Sequence, residues 1–387
     1  MKKLLLCLYV LFSSVQLYAQ ANQAAIDAPN LDFSMRNFSH WTRSLGTFKC
    51  DNPEAPDNQK TYSYSWTEIA ETAETQRIEF LGDVNTLDPI LQCDRLYTNP
   101  DPGKNAARIG APFTTEGMVG AGCDLDHLEA AAEKLAYDYK ITKATSILKY
   151  RFAAVLQIPD EGGDHEGQER PFFSINIKVV KPDGTVAIPP CSSYDAVVND
   201  DESSTLLRGT APCTASRTDP SLYMYQPWTS VLVDLREFEG SRVFIEVISH
   251  DCLVRCTGNT PAAGGHEAYG YFRAEAMDLS LTAKACQGED AQIAAPEGFS
   301  SYQWSRSDNF PITSDPAHPN IVTIPAEEIR PDVEYSCVVS DEFGCAAIEL
   351  KTKLTLVDVA PSFTYTTDCA GKVNFTSTST VQDDVIV

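Results

Sequence analysis

The sequence predicts an all-β chain built from antiparallel sandwiches. Three observations carry this. Apolar and polar residues alternate with period two in segment after segment, as half-buried strands require. Gly, Pro and Asp clusters punctuate those segments. No βα alternation recurs, so a parallel sheet with crossover helices is not expected.

Residues 61–66, TYSYSW, alternate aromatic and small polar residues, and 135–141, LAYDYKI, alternate as well. Residues 147–158, ILKYRFAAVLQI, are longer and more apolar, which predicts a central strand. Residues 172–180, FFSINIKVV, form another, turned by Pro182-Asp183-Gly184. Residues 228–235 and 242–248 follow, joined through Phe238-Glu239-Gly240, and 269–281 supply the last strand of this region. The stretch 128–134, LEAAAEK, reads either as one or two helical turns or as the entry to the next strand. Two insertions, 50–105 and 181–225, are rich in Asp, Asn, Pro and Ser and are expected as surface loops.

The N-terminus has the form of a secretory signal peptide over 1–21. Lys2 and Lys3 precede an apolar run from Leu4 to Phe12, and Ala19-Gln20-Ala21 offers a cleavage site. The run is shorter than the roughly 20 residues of a spanning helix. Export makes the twelve cysteines disulfide candidates before metal ligands. The formal charge of -24 repels phosphate backbones, which argues against nucleic-acid binding.

Residues 284–358 change character. Trp304 in Tyr302-Gln303-Trp304, followed by Tyr335-Ser336-Cys337, is the pattern of an Ig-like sandwich with a buried Trp. Cys286 lies early, which makes Cys345 a plausible partner for it. A third segment, 359–387, holds two or three strands, too few to bury a core. It is expected to be the start of a longer module, with the partner of Cys369 beyond it.

Several stretches in order resemble a known family. They include Asn37-Phe38-Ser39-His40-Trp41, Arg108-Ile109-Gly110, the segments 132–137 and 148–156, and Glu169-Arg170-Pro171-Phe172. Trp228 through Asp234 to Gly240, Asp251-Cys252, Gly265-His266 and Tyr269-Gly270-Tyr271 continue the series. Together they resemble the large multidomain surface proteins of gliding, type IX-secreting Bacteroidota. The resemblance implies a jelly-roll-like antiparallel β-sandwich over 22–283, an Ig-like β-sandwich over 284–358 and a truncated PKD-like β module over 359–387. It also implies a secreted or cell-surface location and a role in adhesion or glycan contact. Two departures stand out. The last strand runs into the Ig-like segment without an intervening cysteine, and the first insertion carries its own pair, Cys50 and Cys93.

Candidate sites follow. His250, Cys252, Cys256 and His266 form a formal Cys2His2 set, but structural zinc needs tighter His spacing. Cys252 and Cys256 are therefore disulfide candidates, with Cys50, Cys93, Cys286 and Cys345. No G-x-S-x-G elbow or HExxH is present, and Asp164-His165-Glu166 lies in a polar Gly-rich loop. Asp32 and Asp278, near the two ends of the first domain, are candidate ligands for a structural calcium. Tyr62, Tyr64, Trp66, Tyr223, Tyr225 and Trp228 are available as sugar platforms. Of these, Tyr223, Tyr225 and Trp228 are expected to be the best exposed, because they follow a polar loop containing Cys213. His165, Asp251 and His266 are expected to meet at one end of the sandwich, as loop scaffolding or facing a ligand. The functional expectation is an exported, non-enzymatic protein that binds a glycan or a surface protein. The alternatives are a secreted hydrolase acting on polysaccharide or protein, and a structural matrix component.

Overall fold

The computed structural model describes residues 23–383 apart from 53–54, 83–85, 113–128, 160–168, 199–204, 212, 214–218, 254–255, 258–259, 262–265, 286–288, 331, 342–346, 355–356, 361–362, 368–372 and 378–379. The expected signal peptide lies outside the described residues. The chain is nearly all β and divides into two compact units, Met1–Asp278 and Leu279–Val387.

The first unit is a sandwich of two antiparallel sheets. Sheet A runs β2 (Tyr62–Ile69), β1 (Thr42–Cys50), β5 (Glu129–Lys140), β12 (Arg242–His250) and β7 (Phe172–Val180). The short strands β8 (Val186–Ala187) and β9 (Ser193–Val197) both pair with β7. Sheet B runs β10 (Leu207–Arg208), β11 (Tyr223–Asp234), β6 (Ile147–Gln157), β15 (Ala268–Met277), β4 (Ala106–Ile109) and β3 (Ile78–Leu81). The longer strands from β4 onward, β5, β6, β7, β11, β12 and β15, fall alternately in the two sheets. This back-and-forth path is jelly-roll-like.

Period two explains the core. Leu135, Tyr137 and Tyr139 of β5 point inward, as do Ile175, Ile177 and Val179 of β7 and Val243, Ile245 and Val247 of β12. They meet Tyr150, Phe152, Ala154 and Leu156 of β6 and Phe272 and Ala274 of β15. Burying one such aliphatic or aromatic side chain contributes roughly 2 kcal/mol. At Gly184 φ is 85°, and its amide donates to the Lys181 carbonyl at 2.9 Å, closing the expected Pro-Asp-Gly turn. The ambiguous stretch 128–134 resolves as strand from Glu129 onward. Its alanines lie between β1 and β12 and are covered on both faces, so their helix propensity yields to sheet pairing.

The first insertion departs from expectation. It contains β2, where the alternation of 61–66 already predicted a strand, and also β3, and its residues Ile90, Leu91 and Leu96 are buried. They pack on the outer face of sheet B against Val155, Tyr223, Tyr225, Tyr269 and Tyr271. Cys93 is disulfide-bonded to Cys213, which ties the two insertions together. The expected pair Cys50 and Cys93 is thereby corrected. Cys50 ends β1 opposite Tyr62 as a buried free thiol.

In the second unit one sheet runs β16 (Thr282–Lys284), β17 (Ala291–Ala294), β20 (His318–Ile324) and β19 (Ser314–Asp315). The other runs β18 (Ser301–Arg306), β21 (Glu334–Ser340) and β22 (Ala347–Lys353). Lettered in chain order, these are the ABED and CFG sheets of an Ig-like sandwich. Trp304 stands on the C strand opposite the buried free Cys337, and its Nε1 donates to the Pro319 carbonyl at 2.9 Å. It is half-buried rather than buried as expected. Cys286 and Cys345 lie outside the described residues. Two further strand pairs complete the unit: β23 (Val357–Ala360) with β26 (Thr380–Asp383), and β24 (Phe363–Thr367) with β25 (Val373–Ser377).

Candidate functional site

Two places in the first unit gather chemistry-bearing side chains. The first is the corner where β12 leaves sheet A and β15 enters sheet B. The Asp251 amide donates to the Ala131 carbonyl at 3.0 Å, and Asp251 Oδ1 accepts the Ala268 amide at 3.0 Å. The Cys252 Sγ lies 3.1 Å from His266 Nδ1 and accepts the His266 amide at 2.9 Å. Asp251, Cys252 and His266 therefore share this corner, while His165 lies outside the described residues.

Cys252 is a free thiol, which corrects its expectation as a disulfide candidate. Cys256 itself sits in a two-residue strand, β13 (Cys256–Thr257), paired with β14 (Thr260–Pro261). Burial pushes the Cys252 thiol up to about 12, so it stays protonated and is a poor nucleophile and metal ligand. His250 does not join it. Its ring stacks on Phe48 with centroids 4.0 Å apart and on Phe172 at 5.1 Å. Its Nδ1 lies 2.8 Å from the Asp251 carbonyl. Burial lowers its pKa to about 4, which leaves a neutral imidazole used as an aromatic. Among the described residues no group of three His, Cys, Asp or Glu side chains is placed to hold a metal ion.

Sequence reasoning missed the charges beneath this corner. Glu133 of β5 is buried, and its Oε1 accepts from Arg77 Nε at 2.6 Å. Arg77 also donates to the Ala132 carbonyl at 3.0 Å. Burial raises Glu133 to about 7, against the pull of Arg77. Burial, then the Glu133 charge, raises Asp251 well above the usual carboxylate range. The signal was available: Leu135, Tyr137 and Tyr139 point inward, so period two also points Glu133 inward.

The second place is the outer face of sheet A. Tyr62, Tyr64 and Trp66 project from the same side of the edge strand β2, and each is half-buried. Tyr64 stacks on Trp66 with centroids 5.0 Å apart and planes 11° apart. Phe48 stacks on Tyr62 at 5.5 Å, and Tyr64 approaches His250 edge-on at 5.9 Å. The rings spread over a floor of small residues, which includes Gly46, Ala130 and Ala132. Trp66 stands directly across from Gly46, so the indole packs where a larger residue would collide. The Lys134 Nζ lies 4.9 Å from the Trp66 ring centroid. Tyr62 is pushed up to about 12, chiefly by burial and then by Glu169, whose Oε1 accepts its hydroxyl at 3.3 Å.

The expected exposure of Tyr223, Tyr225 and Trp228 is corrected. Tyr223 and Tyr225 are buried under the segment that the Cys93–Cys213 bond holds down. Trp228 is half-buried, and its Nε1 donates to the Tyr97 carbonyl at 2.7 Å.

Asp32 and Asp278 stand in different surroundings. Asp32 Oδ1 accepts the Ser34 amide at 3.0 Å, in a turn close to Tyr137. Asp278 has Lys143, Arg236 and Glu239 around it, and burial raises its pKa.

No family model and no curated protein matches the chain. Solved structures similar to it include the following. One is the adhesin domain of Epf from Streptococcus pyogenes, at 9% identity and TM-score 0.17, covering 65% of this chain and 77% of that one. Another is a glycosyl hydrolase family 2 member from Bacteroides cellulosilyticus, at 9% identity and TM-score 0.17. That match covers 87% of this chain and 38% of the hydrolase. No described helix is long and apolar enough to cross a membrane.

Proposed function

We propose that the chain is an exported, non-enzymatic surface protein whose jelly-roll-like unit contacts glycan through the outer face of sheet A. One observation carries the reading: Tyr62, Tyr64 and Trp66 stand in line on one side of an edge strand, each with part of its ring in solvent. A sugar ring presents an apolar C–H face and a polar rim, which suits a flat aromatic surface bordered by polar groups. Apart from Phe48, which packs under Tyr62 and His250, the other buried aromatics of this unit serve the core or the seat of the first insertion. Those of β2 lie on the outer face, at the sheet's edge. Repeated modules of this kind on one cell would add affinity through multivalency rather than chemistry.

The test is a glycan array probed with the full exported chain and with Trp66→Ala, each with and without a calcium chelator. Retention of some glycans by the parent and their loss in Trp66→Ala supports the reading. Loss of parent binding on chelation would assign calcium a part in it. Unchanged binding in Trp66→Ala would move the contact elsewhere, and cleavage of the arrayed glycan would favour the hydrolase alternative.

A further inference from the structure

We propose that the aromatic face selects glycans bearing a carboxylate, and that Lys134 is the residue that recognises it. This rests on the glycan reading above and narrows it to a substrate class, the uronic-acid polysaccharides.

Lys134 sits in the middle of the outer face of β5. Its cross-strand partners are Ser44 and Ile248, both uncharged, and its neighbours on the same side of the strand are Ala132 and Ala136. The half-buried side chain ends 4.9 Å from the centroid of Trp66. Among the described residues, no carboxylate lies within ion-pair distance of it. Two other lysines of sheet A are answered by carboxylates, Lys178 by Glu246 at 3.6 Å and Lys49 by Asp51 at 3.6 Å, as is Lys60 just before β2, by Glu169 at 2.8 Å. The chain has 54 acidic against 30 basic residues, so acids to pair with Lys134 were not scarce.

A half-buried ammonium acts at a lower effective dielectric than one in bulk water, so a carboxylate brought to it gains more. A uronic acid supplies both complements in one rigid unit. Its pyranose face packs against the exposed part of the Tyr64–Trp66 pair, and its carboxylate projects from the sugar's rim, where it meets the Lys134 ammonium that lies over the indole. The overall charge of -24 opposes a polyanion at long range. At physiological ionic strength that field is screened beyond about 8 Å, and contact-range pairing decides.

The experiment is calorimetric titration of the full chain with three probes of equal length: oligogalacturonate, its carboxyl-reduced neutral form and a sulfated neutral oligosaccharide. Parent, Lys134→Gln and Trp66→Ala are compared, with thermal melts to confirm folding. The parent should prefer the uronate over its reduced form by about tenfold, the scale of one charged hydrogen bond. Lys134→Gln should equalise the two and remove the salt dependence. Trp66→Ala should weaken both. Equal parent affinity for the uronate and its reduced form overturns the carboxylate selection and leaves glycan binding standing. So does a uronate preference that survives in Lys134→Gln, or a stronger affinity for the sulfated probe. Absence of binding to all three probes overturns the selection, and an empty glycan array alongside it would overturn the glycan reading as well.

Discussion

Gly46 on β1 stands directly opposite Trp66 on β2, and a Cβ built on Gly46 would lie 2.7 Å from Cε3 of the indole. The same Cβ would lie 2.0 Å from the Ser65 carbonyl oxygen. The glycine is therefore required by close approach, and the aromatic face depends on it. Gly46→Ala should push β2 outward and tilt Trp66. We expect a loss of about 1–3 kcal/mol, the usual cost of overpacking, together with weakened glycan binding. Urea melts and glycan titration check this. A variant that melts and binds like the parent would show that Trp66 does not need its seat.

The buried ionisable groups make stability depend on pH in two opposed ways. Glu133 moves from an ordinary 4.5 to about 7 on folding. Its contribution is present below pH 4.5 and is lost as pH rises towards 7, because the folded chain must give up a proton it holds. Asp251 shifts in the same direction and titrates with it as a pair. His250 moves from 6.5 to about 4, so its contribution is present above pH 6.5 and is lost as pH falls towards 4. Above pH 6.5 only the carboxyl pair acts, and stability should fall as pH rises. For Glu133 and for His250 the full titration is on the order of 3 kcal/mol. Urea melts from pH 5 to 8 should show that fall in the parent and not in Glu133→Gln/Asp251→Asn. His250→Phe keeps the aromatic stack and should remove the acid-side loss alone.

Much of the fold was legible because period two is a strong local signal. Ile147–Gln157 and Phe172–Val180 fall where their alternation places them. Thr42–Cys50 was missed, since its TRSLGTFKC has Gly46 and Thr47 where an apolar run would be expected. The site was less legible. HDCLVRC at 250–256 reads as a ligand set in one dimension, yet β pairing sends His250 to the outer face and Asp251 towards the inner side. The buried seat of Tyr223 and Tyr225 depends on a disulfide spanning 120 residues, a pairing that cysteine spacing cannot specify.

Cys252 should be chemically silent. It is buried, and its thiol is raised to about 12. Iodoacetamide at pH 8 should modify it only after denaturation, as read by peptide mass. Cys252→Ala should retain the fold at a cost of about 1–2 kcal/mol, because the His266 amide loses its sulfur acceptor. Rapid labelling of the native chain at this position would mean that the corner between β12 and β15 opens.

Asp88 should prove the anchor of the first insertion. Its Oδ1 accepts the amides of Ile90 at 2.8 Å and Leu91 at 2.7 Å. Its Oδ2 accepts the hydroxyls of Tyr269 at 2.9 Å and Tyr271 at 2.7 Å. One buried carboxylate thus answers four donors and joins the segment to the outer face of sheet B. Asp88→Ala leaves all four without that acceptor and should cost about 3 kcal/mol or more. Asp88→Asn keeps one acceptor oxygen and should cost less. Near-UV circular dichroism should register the loosened tyrosines. Proteolysis should cut between residues 87 and 105 more quickly, and faster still once Cys93–Cys213 is reduced. Glycan binding at Trp66 should persist in Asp88→Asn, because β2 belongs to the opposite sheet. An Asp88→Ala chain that melts within 1 kcal/mol of the parent would show that the apolar contacts of Ile90 and Leu91, with the disulfide, hold the segment unaided.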